Sequence, residues 1–291
     1  MKRQDFRFFH PLRVRWAEVD MQKIVFNAHY LMYFDTAITD YWRALSLPYE
    51  ETMKQLGGDL YVKKASLEYL GSARFDDQLA VGLKFVRVGR SSIEFAGAIF
   101  RGDALLVTCE LLYVFADPIT QTSKPVPEAL KLVLQSFEHA QITYQIKTGD
   151  WAQLGVDAAQ VRTEVFVHEQ KIPIEMEWDE ADQTALHAVA YNGLGQAIGT
   201  ARLLGSNADT SAPIEPVKIG RMAVKGVLRG CGIGHDLLQV LMTAAKKRGH
   251  YTVVLHAQQT AQKFYERSGF LPRGEVFNEV DIPHIEMFAT L

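Results

Sequence analysis

Cysteine is scarce. Cys109 and Cys231 are the two in 291 residues, too few for a disulfide framework and too far apart for a local zinc knuckle, so a reducing compartment is expected. No apolar run approaches the roughly 20 residues of a membrane span. The stretch from Met1 to Trp16 interleaves Lys2, Arg3, Asp5, Arg7, Arg13 and Arg15 with its apolar residues, which is not the pattern of a leader. Excess charge of either sign is also missing. With 31 Lys+Arg against 34 Asp+Glu the net charge is -3, so there is no bulk attraction to nucleic acid or to an anionic membrane. His10, His139, His168 and His250 match no zinc-ligand spacing, and no metal is expected. There is no Gly-x-Ser-x-Gly nucleophile elbow, no short-period repeat and no low-complexity tract. What remains is 48% hydrophobic and long enough for two domains at roughly 100–200 residues each. The composition predicts a soluble, cytoplasmic, globular protein.

The first half opens with alternation from Phe9 to Trp16, read as a strand, and a polar bend from Ala17 to Lys23. From Asn27 the spacing changes: Leu31, Phe34, Ile38, Tyr41, Trp42 and Leu45 recur at helical intervals until Ser46 and Pro48 stop them. Strand-like runs follow at Tyr61 to Leu70, Leu79 to Val88, Ser92 to Arg101 and Leu105 to Phe115, with turn chemistry at Gly89-Arg90-Ser91 and Gly102-Asp103. One long helix before an antiparallel meander buries its stripe by being wrapped in the concave face of the sheet, an α+β arrangement. A proline-punctuated stretch from Asp117 to Pro127 and a short amphipathic helix bring this domain to residue 140, leaving 141–291 for the second.

The second half reads as a strand at Ile142 to Thr148, a helix from about Asp157 to Gln170, strands at Leu186 to Tyr191 and Ala197 to Leu204, and a polar loop from Ser206 to Pro216. It continues with a strand at Val217 to Val224, a helix from Gly232 to Lys247, a strand at Thr252 to Leu255, a helix from Thr260 to Ser268, and two final strands. Between strand and long helix lies Arg229-Gly230-Cys231-Gly232-Ile233-Gly234. Glycines there let the backbone approach phosphate oxygens, helix-start N–H groups carry partial positive charge, and Arg229 adds a full one. A ligand-free glycine turn accounts for the same letters. It is not a Walker A loop, since no Lys-Ser/Thr pair follows.

Gly220-Arg221-Met222-Ala223-Val224, then Arg229-x-x-Gly232-x-Gly234, then Ala261-x-x-Phe264-Tyr265-Glu266-x-x-Gly269-Phe270 resembles the GNAT N-acetyltransferases in order and spacing. Arg162 to Gln170 together with Ile282-Pro283-His284 is similar to the ElaA-like branch. The resemblance implies a mixed α/β domain. It implies that Arg229, Gly230, Cys231, Gly232, Ile233, Gly234 and His235 hold the diphosphate of acetyl-CoA. Ala223 and Val224 would hydrogen-bond its pantetheine arm, and Tyr265 would protonate the departing thiolate. Acyl transfer also needs a base for the amine; Glu164, Glu169 and His187 are the candidates, each with an ordinary structural alternative. Related enzymes often carry Asn where His256 stands.

In the first half, Trp16-x-Glu18-x-Asp20 followed by Val25-Phe26-Asn27-Ala28-His29-Tyr30-Leu31-x-Tyr33-Phe34-Asp35 resembles hotdog-fold acyl-CoA thioesterases of the 4-hydroxybenzoyl-CoA thioesterase type. By that resemblance Asp20 is the catalytic carboxylate, and the backbone around Phe26, Asn27, Ala28 and His29 polarises the thioester carbonyl. Asn27 stands where many members carry His. Local pattern alone also allows Asp20 to be a bend or helix cap. The two resemblances together imply a bifunctional enzyme that hydrolyses an acyl-CoA in one half and acetylates an amine in the other, forming a homo-oligomer through hotdog pairing. The alternative is a transferase whose hotdog half only binds acyl-CoA or assembles copies.

Overall fold

A computed structural model of the chain describes residues 1–205 and 216–291. The polar loop read from Ser206 to Pro216 therefore lies, apart from Pro216, outside the described residues. The chain divides into two compact units, Met1–Thr143 and Tyr144–Leu291. Among the described residues no helix is long and apolar enough to cross a membrane.

In the first unit, β1 (Phe8–Arg13), β2 (Asp59–Tyr69), β3 (Gln78–Val88), β4 (Ser92–Arg101) and β5 (Ala104–Ala116) form an antiparallel sheet in the order β1-β3-β4-β5-β2. Gly89 donates to the Ser92 carbonyl at 2.8 Å and Gly102 takes φ 57°, closing the turns where the sequence places them. α1 (Asn27–Ala44) buries Tyr30, Tyr33, Phe34, Ala37, Tyr41 and Trp42 against this sheet. The seat is Gly97 in β4. A Cβ there would stand 2.5 Å from Phe34 Cε1, so the absent side chain is what admits the helix. α3 (Glu128–Glu138) covers the sheet further with Leu130, Val133, Leu134 and Phe137. Glu138 ties three elements together, its Oε1 accepting from Tyr41 Oη at 2.7 Å and from the Phe85 amide at 2.9 Å. The helix wrapped by an antiparallel sheet is the expected α+β fold. A second helix, α2 (Tyr49–Leu56), was not anticipated; it buries only Thr52 and Met53, too short a stripe to register as periodic.

The second unit is a mixed sheet in the order β11-β12-β10-β9-β8-β7-β6. Its strands are β6 (Tyr144–Gly149), β7 (Leu186–Asn192), β8 (Ala197–Leu204), β9 (Val217–Val224), β10 (Thr252–Gln258), β11 (Leu271–Glu279) and β12 (Ile282–Thr290). Neighbours are antiparallel except β9 and β10. α4 (Trp151–Arg162) starts well ahead of the expected Asp157, because Asp150 caps it by accepting the Gln153 amide at 2.9 Å. It runs on as π-helix through Thr163–Glu169, a winding no residue spacing announces. α5 (Ile174–Glu177), α6 (Ile233–Lys247) and α7 (Gln262–Arg267) complete the helices the site uses.

Between α4 and the sheet lies a buried ion core. The side chain of Arg162 is 1% exposed; its Nε meets Glu177 Oε1 at 2.5 Å, its Nη1 meets Asp182 Oδ1 at 2.8 Å, and its Nη2 donates to the Glu177 carbonyl at 2.7 Å. The Trp178 ring lies 4.7 Å from the same guanidinium. Arg202 of β8 shares Asp182 and adds Asp179, each at 2.6 Å. Residues 177–182, which run from the end of α5 into a single 3-10 turn, are thereby fastened to α4 and β8. Removing one partner of such a core strands the others in low dielectric, so Arg162→Ala is expected to destabilise the unit by about 3–5 kcal/mol. Urea unfolding at pH 7 checks this; an unmoved midpoint refutes it.

The same core sets an acid limit. The Arg202 hydrogen bonds hold Asp179 below its ordinary range, and at Asp182 burial pushes up but is outweighed by Arg162 and Arg202, so that carboxyl also sits low. Groups depressed in the folded state stabilise it above the unfolded value, near 3.9, and lose that contribution as pH falls through the folded values. The urea midpoint is therefore expected to fall steepest below about pH 4, which a pH series of the same experiment measures.

Candidate active sites

β9 and β10 run parallel but pair only at Val217 with Val253 and Lys218 with Val254. Beyond that point β9 bulges: its register against β8 shifts between Thr200 and Arg202, and Arg221 takes φ 50°. A bulge bends its strand, and here the bend peels β9 from β10. The result is a cleft of about 620 Å³ with Gly220, Met222, Ala223 and Val224 on one wall and Leu255, His256 and Gln258 on the other. Each wall presents a strand edge without a strand partner, a row of backbone donors and acceptors open to an extended polar ligand.

At one end of the cleft the chain turns from β9 into α6. Gly230 (φ 85°) and Gly232 (φ 89°) use the left-handed region. The amides of Ile233, Gly234 and His235 then open α6, before the first intrahelical carbonyl is available to them. Gly234 serves packing as well: a Cβ there would touch Phe264 at 3.5 Å and Val224 at 3.6 Å. The Cys231 amide donates to the Leu228 carbonyl at 3.4 Å, and His235 Nδ1 lies 3.4 Å from Ser268 Oγ. Arg229, expected to offer its charge to phosphate, is clasped by Glu169 at 2.6 and 2.7 Å. Tyr265 of α7 lines the cleft with its hydroxyl 3.7 Å from Met222 Sδ, and burial pushes that hydroxyl up to about 12. It thus carries its proton at neutral pH.

The three candidate bases separate. Glu169 lines the cleft but is spent on Arg229. Glu164 pairs with Lys225 at 2.9 Å and His187 is buried, its Nε2 2.9 Å from the Asp182 carbonyl; neither lines the cleft. An acid or base must reach the proton it moves, and of the three only Glu169 borders the cleft. Sequence reasoning missed a different cluster on the cleft wall. His256 Nδ1 meets Glu279 Oε1 at 2.5 Å, Lys218 Nζ lies 3.0 Å from the same nitrogen, and His284 Nε2 is 4.0 Å from Glu279 Oε2. These residues sit on different strands and share no local spacing that would have shown them.

In the first unit Asp20 closes a turn: its amide donates to the Ile24 carbonyl and its Oδ1 accepts the Gln22 amide at 2.8 Å. The turn delivers the chain to α1. There the Phe26 amide is taken by the Glu18 carbonyl and the His29 amide by the Phe26 carbonyl, both at 2.9 Å, and Asn27 and Ala28 stand exposed at the helix start. The exposed Phe26 ring lies edge-on to His29 at 6.1 Å, and His29 Nδ1 is buried with no partner among the described residues. Glu18, at the end of the 3-10 turn Trp16–Glu18, accepts from Tyr33 Oη at 2.7 Å and so pins the turn to the helix. A separate cavity of about 180 Å³ lies among Ile38, Trp42, Tyr49, Leu60, Phe95 and Tyr113. Among the described residues no group of three or more His, Cys, Asp or Glu is arranged to hold a metal ion.

Comparison with known proteins follows the division into units. A family model described as an acetyltransferase (GNAT) domain matches residues 149–291, and one described as the thioesterase-like superfamily matches residues 14–134. The chain is 36% identical over 130 residues to protein ElaA of Escherichia coli (strain K12), an alignment covering 44% of this chain and 82% of that protein. It is 26% identical over 124 residues to the acyl-CoA thioester hydrolase YbgC of an Escherichia coli O6:H1 strain, covering 42% of this chain and 92% of that protein. The solved structure of Slr0204, a 1,4-dihydroxy-2-naphthoyl-CoA thioesterase from Synechocystis, overlaps 45% of this chain and 98% of its own with TM-score 0.42 and 17% identity. The chain belongs to the GNAT acetyltransferases through its second unit and carries a thioesterase-like hotdog domain as its first.

Proposed function

We propose that both units work on CoA thioesters, the second transferring an acetyl group from acetyl-CoA to an amine and the first hydrolysing an acyl-CoA. The observation that carries the transferase reading is the cleft between β9 and β10 that ends on the glycine turn. Its unpaired edges suit the amides of a pantetheine arm, and the turn at Gly230 to His235 suits a diphosphate. Ala223 and Val224 line the arm's path. Tyr265 protonates the sulfur as the C–S bond breaks. Glu169 holds the Arg229 guanidinium at two points, so its charge reaches the phosphates only in part. On this reading Tyr265→Phe slows acetyl transfer by about 10²-fold or more and leaves acetyl-CoA affinity nearly unchanged, because the hydroxyl serves the leaving group and not ground-state binding. Thiol release and calorimetry on the same samples decide it, and wild-type turnover in the variant rejects the role.

For the first unit the exposed amides of Asn27 and Ala28 polarise the thioester carbonyl, and Asp20, placed one turn of chain before them, attacks it or activates water. Asp20 spends Oδ1 on Gln22, which leaves Oδ2 for chemistry. That same hydrogen bond favours a second reading, in which Asp20 only caps the turn and the hotdog unit binds acyl-CoA or pairs with a second copy. Asp20→Asn keeps the cap and removes the base. It is expected to lower hydrolysis by about 10²–10⁴-fold across a panel of short, long and aromatic acyl-CoAs without altering the melting temperature. Hydrolysis at the wild-type rate in the variant, or none in either protein, favours the second reading.

A further inference from the structure

We infer that His256 is the general base of the second unit and that Glu279 is its positioning residue. This rests on the transferase reading of that unit. His256 lies on β10 just past the last residue paired with β9, so its side chain enters the cleft where the strands part. Glu279 takes His256 Nδ1 at 2.5 Å. A carboxylate on Nδ1 makes that nitrogen the donor and leaves the lone pair on Nε2, where Lys218 Nζ stands at 3.3 Å in the place an acceptor amine would take.

The carboxylate is aimed by a costly turn. Glu279 and Ile282 pair across the two residues Val280 (φ 49°) and Asp281 (φ 58°), a hairpin whose central positions favour Gly, Asn or Asp. Valine is β-branched and resists a positive φ, so the turn is held by what surrounds it. The Phe277 ring lies 4.9 Å from His256 and is stacked at 6.2 Å on His284, fixing the imidazoles from the β11 side. His284 Nδ1 is 2.8 Å from the Ile282 carbonyl and its Nε2 faces Glu279.

The charges around His256 come from three strands: Lys218 of β9 at 3.0 Å from Nδ1 and 3.3 Å from Nε2, Glu279 of β11, and Glu286 directly opposite on β12, itself bound by Arg273 at 2.5 Å. Burial pulls the Lys218 ammonium below its ordinary value, and at Glu279 burial is outweighed by the His256 hydrogen bond, holding that carboxyl low. Glu279 is therefore an anion at neutral pH.

The step balances. The amine nitrogen forms its bond to the acetyl carbonyl carbon and passes its proton to His256 Nε2. The C–S bond breaks with its pair on sulfur, which takes the Tyr265 proton. Solvent reprotonates Tyr265 and relieves His256, leaving an N-acetyl amine and the CoA thiol.

The test uses the full chain with Asp20→Asn, so that thiol release by the first unit is silenced, with acetyl-CoA and two probe acceptors, spermidine and 2-phenylethylamine. His256→Gln is expected to lower kcat/KM for the amine by about 10²–10⁴-fold and to remove the acid limb of its pH profile. Acetyl-CoA affinity by calorimetry should stay within about twofold. Glu279→Gln should move that limb and cost about tenfold, as loss of an orienting partner does. A wild-type rate and profile in His256→Gln, or a limb that vanishes in Lys218→Met instead, overturns the assignment while acetyl-CoA binding and turnover stand. If the unsubstituted second unit neither binds acetyl-CoA nor acetylates either probe, the transferase reading itself falls and the base assignment with it.

Discussion

Two residue pairs hold β9 to β10, and the second unit is organised around the fact that there are no more. A sheet interior does not leave strand edges unpaired without cause, because each open amide and carbonyl has a cost that something must meet. The bulge at Arg221 is the mechanical origin of the opening. It is held by the buried ion core, since Arg221 Nε donates to the Glu177 carbonyl at 3.2 Å and its Nη2 reaches Asp179 at 3.3 Å. Burial of Arg162 and the width of the cleft are thus parts of one construction.

The two units solve a related electrostatic problem with the same device. In each, a turn delivers the chain to the start of a long helix whose first amides lack carbonyl partners. In the second unit these belong to Ile233, Gly234 and His235; in the first, to Asn27 and Ala28. Negative charge, whether on a diphosphate or developing on a thioester oxygen, is accommodated at such a point. The support behind the helix is alike as well: Gly97 seats α1 on β4, and Gly199 seats α6 on β8, where a Cβ would stand 3.0 Å from Leu237 Cδ1.

Much of the fold was legible because it rests on local signals. Glycine turns mark the strands of the first unit, and the stripe of Phe34, Tyr41 and Trp42 marks α1. The early start of α4 was missed because Asp150 was not weighed as a cap, and α2 because eight residues with two buried positions carry no period. In the second unit, the glycine turn from Gly230 to Gly234 is contiguous and was readable as a turn into α6. The cluster of Lys218, His256, Glu279 and His284 was not, since it exists only where four strands converge, and Glu279 owes its aim to a hairpin with Val at a position where turn chemistry favours glycine. Glu164 and Glu169 are candidates as carboxylates on a segment that could border the cleft, yet each is committed to a cation of its own.

The ion core also separates part of this wall of the cleft from its ionic surroundings. Arg13 and Asp76 on the surface of the first unit pair at 2.8 Å with side chains 58% and 59% exposed, and mobile ions screen such a pair within a Debye length of about 8 Å at physiological ionic strength. Arg162 and Glu177, at 1% and 2%, admit no counterions between them. Salt therefore leaves the Arg162–Glu177 pair alone and acts on the cleft through its open pairs, Arg221 with Asp179 at 30% and 38% exposure and Arg229 with Glu169 at 45% and 46%.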